Sequence, residues 1–194
     1  MPALELVLGS TSPFRKALLE KLGLPFSSAA PDIDETPQPH EPPRALVQRL
    51  AREKARAVAK QYPRALIIGS DQVACLDEHI LGKPGNRENA IAQLGAMSGK
   101  RICFHTGLCL YNSESGNTQL LCEDYLVHFR SLGSEQIERY VNAEKPFNCA
   151  GSFKSEGLGI TLFRKLEGDD PNTLIGLPLI RLVEMLAREG IELP

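Results

Sequence analysis

The sequence predicts a mixed α/β protein, and two observations support this prediction. Helical patterns alternate with short β-rich runs along the 194 residues, and no repeat or low-complexity tract interrupts them. A chain of this length can bury one sizeable core but is too short for two comfortable independent domains. We therefore expect a single domain over residues 1–194, with room for two lobes.

The N-terminal part predicts two strands and two helices with an acidic loop between them. Ser12 is a good N-cap, Pro13 suits the first helical position, and Gly23 is expected to stop the helix. The proline-rich segment 31–43 predicts an extended, exposed loop. In chain order, we expect a strand over 4–8, a helix over 13–22, a strand over 26–30 and a helix over 44–61.

The remaining sequence continues the alternation. The stretch ALIIGSDQVACL indicates two strand pieces around a polar interruption, and NSESGN indicates the turn of a long hairpin over 101–130. The glycine-rich CAGSFKSEGLG indicates a loop. The other expected elements are a turn over 77–85, helices over 86–97, 134–143 and about 177–188, and a strand over 160–163.

Composition excludes several classes of partner and location. The formal net charge is −2, so the chain has no overall attraction to nucleic acid or to an anionic membrane. No stretch approaches the roughly 20 apolar residues that span a bilayer, and the N-terminus lacks a secretory pattern. The five cysteines include no CxxC pair, which favours buried thiols in a reducing compartment. We expect a cytoplasmic protein that binds a small molecule.

Common catalytic signatures are missing from the sequence. It contains no GxxxxGK[ST], no GxGxxG after a strand, no HExxH and no GxSxG, and its four histidines show no metal-ligand spacing. These absences argue against a P-loop, a dinucleotide fold, a zinc protease and an ordinary serine hydrolase. Any phosphate site would then consist of dispersed lysines, an arginine and carboxylates.

The segment GSTSPFRK, residues 9–16, has two interpretations. It can be a strand leading into a capped helix whose charges are solvated. The free N–H groups at the positive end of that helix, together with Ser10, Arg15 and Lys16, can instead bind an anion. The segment alone leaves both open.

The predicted helix over 44–61 places one lysine on its apolar stripe. Lys54 follows Leu50 by four residues and therefore lies on the face marked by Leu46, Val47, Leu50, Ala57 and Val58. Its side chain either extends along its stem to solvent or points into a cleft. Another face carries Arg49, Arg52, Arg56 and Lys60, which we expect to be solvated.

Carboxylates supply the remaining candidates. Asp71 follows an apolar strand, a place where open α/β folds gather reactive groups, so it is either a general base or a turn cap. Asp32, Asp34 and Glu35 can supply oxygen ligands to a hard cation such as Mg²⁺, or can simply be solvated. Lys83 and Lys154 lie beside glycines, where a ligand can approach the backbone closely.

Eight short motifs follow one another between Leu4 and about Leu179: GSTSPFRKALLEKLG, DIDET, LAREKA, GSDQV, LGKPGN, HTGL, AGSFKSEG and GLPL. In type and order they resemble the motifs of the Maf family of nucleotide pyrophosphatases. The resemblance implies a fold similar to that of the inosine triphosphatases, with an elongated mixed sheet, flanking helices and a deep cleft between two lobes. It also implies a cytoplasmic enzyme that cuts a nucleoside triphosphate between the α and β phosphates with a divalent metal, Mg²⁺ or Mn²⁺.

The resemblance also assigns roles to residues. The family's general base corresponds to Asp71, and its metal or water-positioning carboxylate corresponds to Glu35. Its phosphate-side residues correspond to Ser10, Arg15, Lys54 and Lys83. This assignment favours the anion interpretation of segment 9–16 and a lysine that points into a cleft.

Three further positions resemble the branch of the family that acts on 7-methyl-GTP. That branch has an aromatic residue after Ser-Pro, a Gln after the catalytic Asp and a Glu in the late loop, which correspond to Phe14, Gln72 and Glu156. Phe14 stands where the branch has tryptophan. A purely structural alternative is that Phe14 packs beside Leu18 and that Glu156 caps a turn.

Two other functions compete with hydrolysis. The family's association with septum formation allows a nucleotide-binding regulator of cell division that has little turnover. A nucleic-acid binder using the basic face between Arg49 and Lys60 is disfavoured, because the net charge is −2 and no aromatic residues interleave that face. We also expect a homodimer.

Overall fold

The computed structural model describes residues 4–194 and confirms the predicted mixed α/β class. The strands are β1 (Glu5–Leu8), β2 (Ser27–Ser28), β3 (Ala65–Leu76), β4 (His79–Leu81), β5 (Arg101–Asn112), β6 (Thr118–Phe129) and β7 (Phe163–Glu167). The helices are α1 (Pro13–Glu20), α2 (Pro43–Ala59), α3 (Arg87–Met97), α4 (Ser134–Glu144), α5 (Asn172–Ile175) and α6 (Leu179–Arg188), with short 3₁₀ turns at Ala150–Ser152 and Leu158–Leu162.

The strands form a mixed sheet in the order β2-β1-β3-β5-β6-β7, and β4 pairs with β3. The strand β1 runs parallel to β2 and β3, whereas the β3–β4 and β6–β7 pairs are antiparallel. Among residues 4–194, no helix combines the length and the apolar character needed to cross a membrane.

The chain divides into two compact units. The first unit comprises residues 4–72, Thr106–Glu123 and Asp170–Pro194. The second unit comprises Val73–His105 and Asp124–Asp169. Three of the four unit boundaries fall within β3, β5 and β6, and the fourth falls between Asp169 and Asp170, after β7.

In the first unit, β1 is buried on both faces from Leu6 to Leu8, which explains why these three residues are all apolar. Successive strand residues point to opposite faces, so Leu8 and Val7 enter different cores. On the Leu8 side, the core includes Leu19 of α1 and Leu182 of α6. On the Val7 side, the core includes Ala51, Ala55 and Val58 of α2. The sheet therefore holds α1 and α2 on opposite faces.

The core of the second unit is built around Phe153. Its ring meets the rings of Phe104, Phe129 and Phe163 in edge-on contacts, with centroids 5.4, 5.6 and 4.9 Å apart. Edge-to-face packing is the favoured geometry for aromatic pairs. These contacts tie the loop after α4 to strands β5, β6 and β7.

Several sequence-based boundaries were wrong. The stretch 65–76 is one continuous strand that includes the polar residues Ser70, Asp71 and Gln72, because pairing with β1 over 65–68 and with β4 over 74–76 anchors both of its ends in the sheet. Residues 158–162 form a 3₁₀ turn, and β7 begins only at Phe163. The expected turn over 77–85 contains the short strand β4. The predicted hairpin is confirmed as β5 and β6.

Candidate active site

The N-terminus of α1 is a capped turn. The Ser12 Oγ accepts a hydrogen bond from the backbone N–H of Arg15 at 3.4 Å, and the Ser10 Oγ accepts one from the N–H of Ser12 at 3.1 Å. No acidic residue lies in the first turn of α1, so α1 itself supplies no negative charge to balance the positive end of its dipole. The predicted cap is confirmed, and an anion bound at this helix end stays a prediction.

Arg15 is fixed by a backbone carbonyl of the same unit. Its Nε donates to the Gly176 oxygen at 2.9 Å, and the Ser70 hydroxyl donates to that oxygen at 2.8 Å. Burial lowers the pKa of Arg15, while the charges of Asp71 and Glu35 raise it. A guanidinium carries five N–H donors, and the contact with Gly176 uses the one on Nε. The terminal nitrogens can therefore donate to an oxyanion.

The ammonium of Lys54 joins two carboxylates. Its Nζ lies 2.7 Å from Oδ1 of Asp71 and 2.9 Å from Oε1 of Glu35. Lys54 is only 6% exposed and Asp71 only 7% exposed. The alternative interpretation, in which the Lys54 side chain extends to solvent, is therefore wrong. An ammonium has three donors, and these two contacts use two of them. The third donor can serve a phosphate oxygen.

The surroundings of Asp71 favour proton uptake. Burial raises the pKa of its carboxyl above the ordinary 3.8, Lys54 and Arg15 oppose this rise, and the negative charge of Glu35 adds to it. Asp71 lies inside β3 rather than after its end, and its side chain faces Lys54 rather than capping a turn. A buried carboxylate with a raised pKa is a stronger proton acceptor than an exposed one.

Two strand glycines allow α2 to lie very close to the sheet. A Cβ at Gly69 of β3 would overlap the carbonyl oxygen of Ala51, and a Cβ at Gly107 of β5 would overlap that of Val47. The two carbonyls are one helical turn apart on α2. This close approach carries Lys54, three residues beyond Ala51, to Asp71, two residues beyond Gly69.

Gln72 is held by its own unit. Its Nε2 donates to Oγ1 of Thr106 at 2.9 Å and to the carbonyl oxygens of Thr173 and Leu174 at 2.8 and 3.2 Å. The amide therefore ties β3 to β5 and α5. The family resemblance implies that Gln72 contributes to substrate choice. In the structure, Gln72 holds α5, and α5 is followed directly by Gly176, whose oxygen accepts from Arg15.

The acidic loop before α2 contributes one carboxylate to the site. Glu35 is more than half exposed and contacts Lys54. Oδ1 of Asp34 accepts the N–H of Thr36 at 2.9 Å, and hydrogen bonds from the Thr36 side chain and backbone lower the pKa of Asp34. Asp32 is exposed. The expectation of a wholly solvated basic face is wrong for Arg49, because its guanidinium pairs with Glu41 at 2.6 Å and is only 13% exposed.

Of the remaining predicted residues, Phe14 belongs to the first unit, and Lys83, Lys154 and Glu156 belong to the second. Phe14 is 41% exposed, so the alternative in which it packs into the core beside Leu18 is wrong. Lys83 and Glu156 are exposed residues of the second unit, and Glu156 accepts a hydrogen bond from the Ser155 hydroxyl at 3.1 Å. Lys154 pairs with Glu144 at 3.3 Å.

Sequence reasoning missed the residues that support the site. Ser70 and Gly176 fix Arg15, and Gly69 sets the distance between α2 and β3. An isolated glycine inside a strand pattern signals a close backbone approach, so Gly69 and Gly107 were detectable. Ser70 and Gly176 carried no comparable signal, because their contact spans 106 positions of the chain.

Comparisons with known proteins show a similar fold and several similar chains. A solved structure titled "The structure of the Staphylococcus aureus Ham1 protein" superposes with a TM-score of 0.54 at 15% identity, covering 96% of this chain and all of that one, which shows the fold. Relatives named 7-methyl-GTP pyrophosphatase are 65% identical in Colwellia psychrerythraea, over 96% of this chain and 94% of the relative, and 61% identical in Alcanivorax borkumensis, over 97% and 96%. Another in Vibrio vulnificus is 58% identical over 97% and 96%.

The family comparison covers nearly the whole chain. The family model described as "Maf-like protein" matches residues 5–189, a span that includes α1, the Lys54–Asp71 pair and both units. Since the model matches far more than half of the chain, the chain belongs to the Maf family.

Proposed function

We propose that this protein hydrolyses a nucleoside triphosphate between its α and β phosphates, with release of pyrophosphate, and that 7-methyl-GTP is its preferred substrate. The observation that carries the proposal is the buried Lys54–Asp71 pair, with Glu35 on the same ammonium. Identities of 58 to 65% to relatives named for this reaction support it.

Asp71 acts as the general base in this proposal. Its carboxylate accepts a proton from the attacking water, and its raised pKa brings it closer to the range of an effective base. Lys54 holds Oδ1 of Asp71 at 2.7 Å, which fixes the direction from which a proton can be accepted. A general base contributes on the order of 10² to 10⁴ in rate.

The phosphates bind where positive charge is collected. The N-terminus of α1, the hydroxyl of Ser10 and the guanidinium of Arg15 offer donors to phosphate oxygens. A triphosphate there would offset the cost of placing cations at the positive end of a helix. Lys54 adds its remaining N–H donor. Lys83 is included because the family resemblance assigns it to the phosphates. Donors fixed before the reaction stabilise the charge that grows on the leaving pyrophosphate.

Mg²⁺ or Mn²⁺ is the proposed cofactor. The donor set fits a hard cation, because two carboxylates, those of Glu35 and Asp71, approach the same point from two sides. Glu35 is more than half exposed, so its oxygens can also be reached by a metal ion from solvent. Bound there, such an ion would neutralise phosphate charge and position water. Glu35 would give up part of its contact with Lys54 to bind the metal, while Asp71 would keep its contact with Lys54.

The base is proposed to be selected by Phe14 and Glu156. Guanine presents N1–H and N2–H donors on one edge, and a carboxylate such as Glu156 can accept both. Methylation at N7 makes the ring cationic, which strengthens contact with a carboxylate and stacking on an aromatic face. The exposed ring of Phe14 is available for such stacking. Gln72 supports this choice indirectly by holding α5.

The decisive experiment measures both products. Purified protein is incubated with 7-methyl-GTP, GTP, dTTP or UTP and Mg²⁺ or Mn²⁺, and nucleoside monophosphate and pyrophosphate are quantified together. Equal amounts of both products, with 7-methyl-GTP fastest, are expected. Asp71→Asn should lose most of the turnover while its circular dichroism stays native. Tight nucleotide binding without either product would instead support the regulator of cell division.

Two further proposals accompany the reaction. None of the five cysteines forms a disulfide within residues 4–194, which supports a reducing, cytoplasmic location. Homodimerisation stays a prediction, and light scattering after size-exclusion chromatography measures it directly.

A further inference from the structure

The second unit contains a group of metal-ligating side chains that the proposed reaction does not use. The Sγ of Cys103, Nδ1 of His105 and Oδ1 of Asp124 form this group, and their ligand atoms all lie within 4.8 Å of one another. The His105 Nδ1 is 2.7 Å from the Asp124 oxygen and 3.7 Å from the Cys103 sulfur. One imidazole nitrogen thus faces a thiol and a carboxylate at once.

The strands explain why these groups converge. Cys103 and His105 are two residues apart on β5, so their side chains point to the same face of the sheet. Asp124 lies on β6, the next strand in the sheet. Because the scaffold is a hydrogen-bonded strand pair, the three ligand atoms are held together by backbone structure rather than by a loop.

The spacing suits a tetrahedral transition-metal ion. With Zn–N and Zn–O bonds of about 2.0 to 2.1 Å and a Zn–S bond of about 2.3 Å, tetrahedral ligands lie roughly 3.6 Å apart for sulfur and nitrogen and 3.3 Å apart for nitrogen and oxygen. The sulfur–nitrogen distance of 3.7 Å already agrees. The nitrogen–oxygen distance of 2.7 Å is that of a hydrogen bond and would lengthen by about 0.6 Å.

We propose that Cys103, His105 and Asp124 bind one zinc ion, with a fourth coordination position open to solvent. A thiolate and an imidazole favour zinc over Mg²⁺, which prefers six oxygen ligands in an octahedron. The site is therefore chemically distinct from the carboxylate pair of Glu35 and Asp71.

Space for the fourth ligand is present beside Cys103. A cavity of about 340 Å³ is lined by Cys103, Cys75, Asp77, Lys100 and Arg101. Its volume exceeds that of several water molecules, so a water ligand has room beside the Cys103 sulfur. Cys75 lies on the neighbouring strand β3 and is buried. The sulfur ligand is assigned to Cys103, because its Sγ lies within 4.8 Å of the His105 and Asp124 ligand atoms.

Cobalt substitution tests this ligand set, because Co²⁺ occupies zinc sites and reports on them by absorption. Tag-free protein is titrated with Co²⁺ in excess Mg²⁺ and under reducing conditions, and Zn²⁺ is then added. We expect one equivalent of Co²⁺ to bind, to give a sulfur-to-cobalt charge-transfer band with the visible bands of a tetrahedral ion, and to be displaced by Zn²⁺. A spectrum of octahedral cobalt without the charge-transfer band overturns the proposal.

Variants assign the signal to residues. Cys103→Ser should abolish the charge-transfer band and weaken Zn²⁺ binding by about tenfold or more, and Asp124→Asn, at an exposed position, should weaken it while preserving the fold. Cys149→Ser removes another thiol of the same unit and should bind like wild type. Equal loss in Cys103→Ser and Cys149→Ser, or undiminished binding in Asp124→Asn, contradicts the assignment.

Two further measurements separate this site from the proposed catalysis and from misfolding. Asp71→Asn should bind one equivalent of Zn²⁺ with unchanged affinity, even if its hydrolytic activity is lost. Zn²⁺ should raise the melting temperature of wild type and of Asp71→Asn by more than that of Cys103→Ser, since a ligand of the native state stabilises it in step with its affinity. An undiminished Zn²⁺-induced shift in Cys103→Ser would show that the metal binds elsewhere.

Discussion

The Nζ of Lys54 lies 2.7 Å from Oδ1 of Asp71, and the two side chains are only 7% and 10% exposed. The pair connects α2 to β3 inside the first unit. The two buried charges are coupled, because removing Lys54 leaves the Asp71 carboxylate buried without its cation. The Lys54–Asp71 contact therefore affects both the stability of the protein and the proposed catalysis.

Lys54→Met should destabilise the protein strongly. It leaves Asp71 buried without its cation, and such a loss typically costs about 3 to 5 kcal/mol. The free energy of unfolding from urea titration at neutral pH measures this. Lys60→Met, at an exposed position just after α2, is the control and should change little. The double variant Lys54→Met/Asp71→Asn should recover part of the loss, and no recovery would contradict the coupling of the two charges.

The acidic limb of the pH–rate profile should reflect Asp71. A general base works unprotonated, so kcat/KM should fall as the pH drops through its pKa, which burial raises above 3.8. The Glu35 charge also raises this pKa, so Glu35→Gln should move the limb to lower pH whatever its effect on the maximal rate. Glu53→Gln, one residue before Lys54 on α2, should leave the limb in place. A limb that moves to higher pH in Glu35→Gln would argue against Asp71 as the base.

Gly69→Ala should harm both stability and activity. The new methyl group would overlap the Ala51 carbonyl, which cannot move without shifting α2, and overpacking of this kind costs about 1 to 3 kcal/mol or more. The shift should also separate Lys54 from Asp71 and lower kcat in the protein that stays folded. Gly95→Ala in α3 is the matched control, because nothing lies within 4 Å of the added atom. It should be neutral or stabilising by up to about 1 kcal/mol.

Gln72→Glu should destabilise the first unit by about 1 to 3 kcal/mol. The amide donates to the carbonyl oxygens of Thr173 and Leu174, whereas an ionised carboxylate can only accept, so those contacts would become repulsive. Urea unfolding compares it with Gln61→Glu, an exposed replacement of the same type. If both variants are equally stable, the amide does not hold α5 as described.

Substrate choice should depend on Glu156 and Phe14. We expect 7-methyl-GTP to exceed GTP in kcat/KM by about two- to thirtyfold, from a cation–π contribution of roughly 0.5 to 2 kcal/mol. Glu156→Gln should reduce this preference more than it lowers the rate with either nucleotide. Phe14→Trp should keep or sharpen the preference, since tryptophan is the better partner for a cationic ring. An unchanged ranking in Glu156→Gln would remove Glu156 from base recognition.

Part of the candidate site was predictable because its signals are local. The cap at Ser12 and Pro13 follows from residues within one helical turn. The position of Lys54 on a buried stripe follows from helical periodicity, which the structure confirms in outline, although Ala51 and Ala55 are fully buried where Ala57 was expected. Helical periodicity thus predicts from the sequence that Lys54 occupies an environment unusual for a lysine.

The mixed α/β class, the long hairpin, the capped helix and the family motifs were predictable from the amino-acid sequence, because each depends on residues close together in the chain. The folded chain was needed to establish that Lys54 contacts Asp71 and Glu35, that Gly176 fixes Arg15, and that Cys103 and His105 meet Asp124. It also joined residues 65–76 into one strand where local polarity suggested a break. These features depend on strand pairing and on a helix lying close to glycine, and such contacts join distant residues whose partners no local pattern specifies.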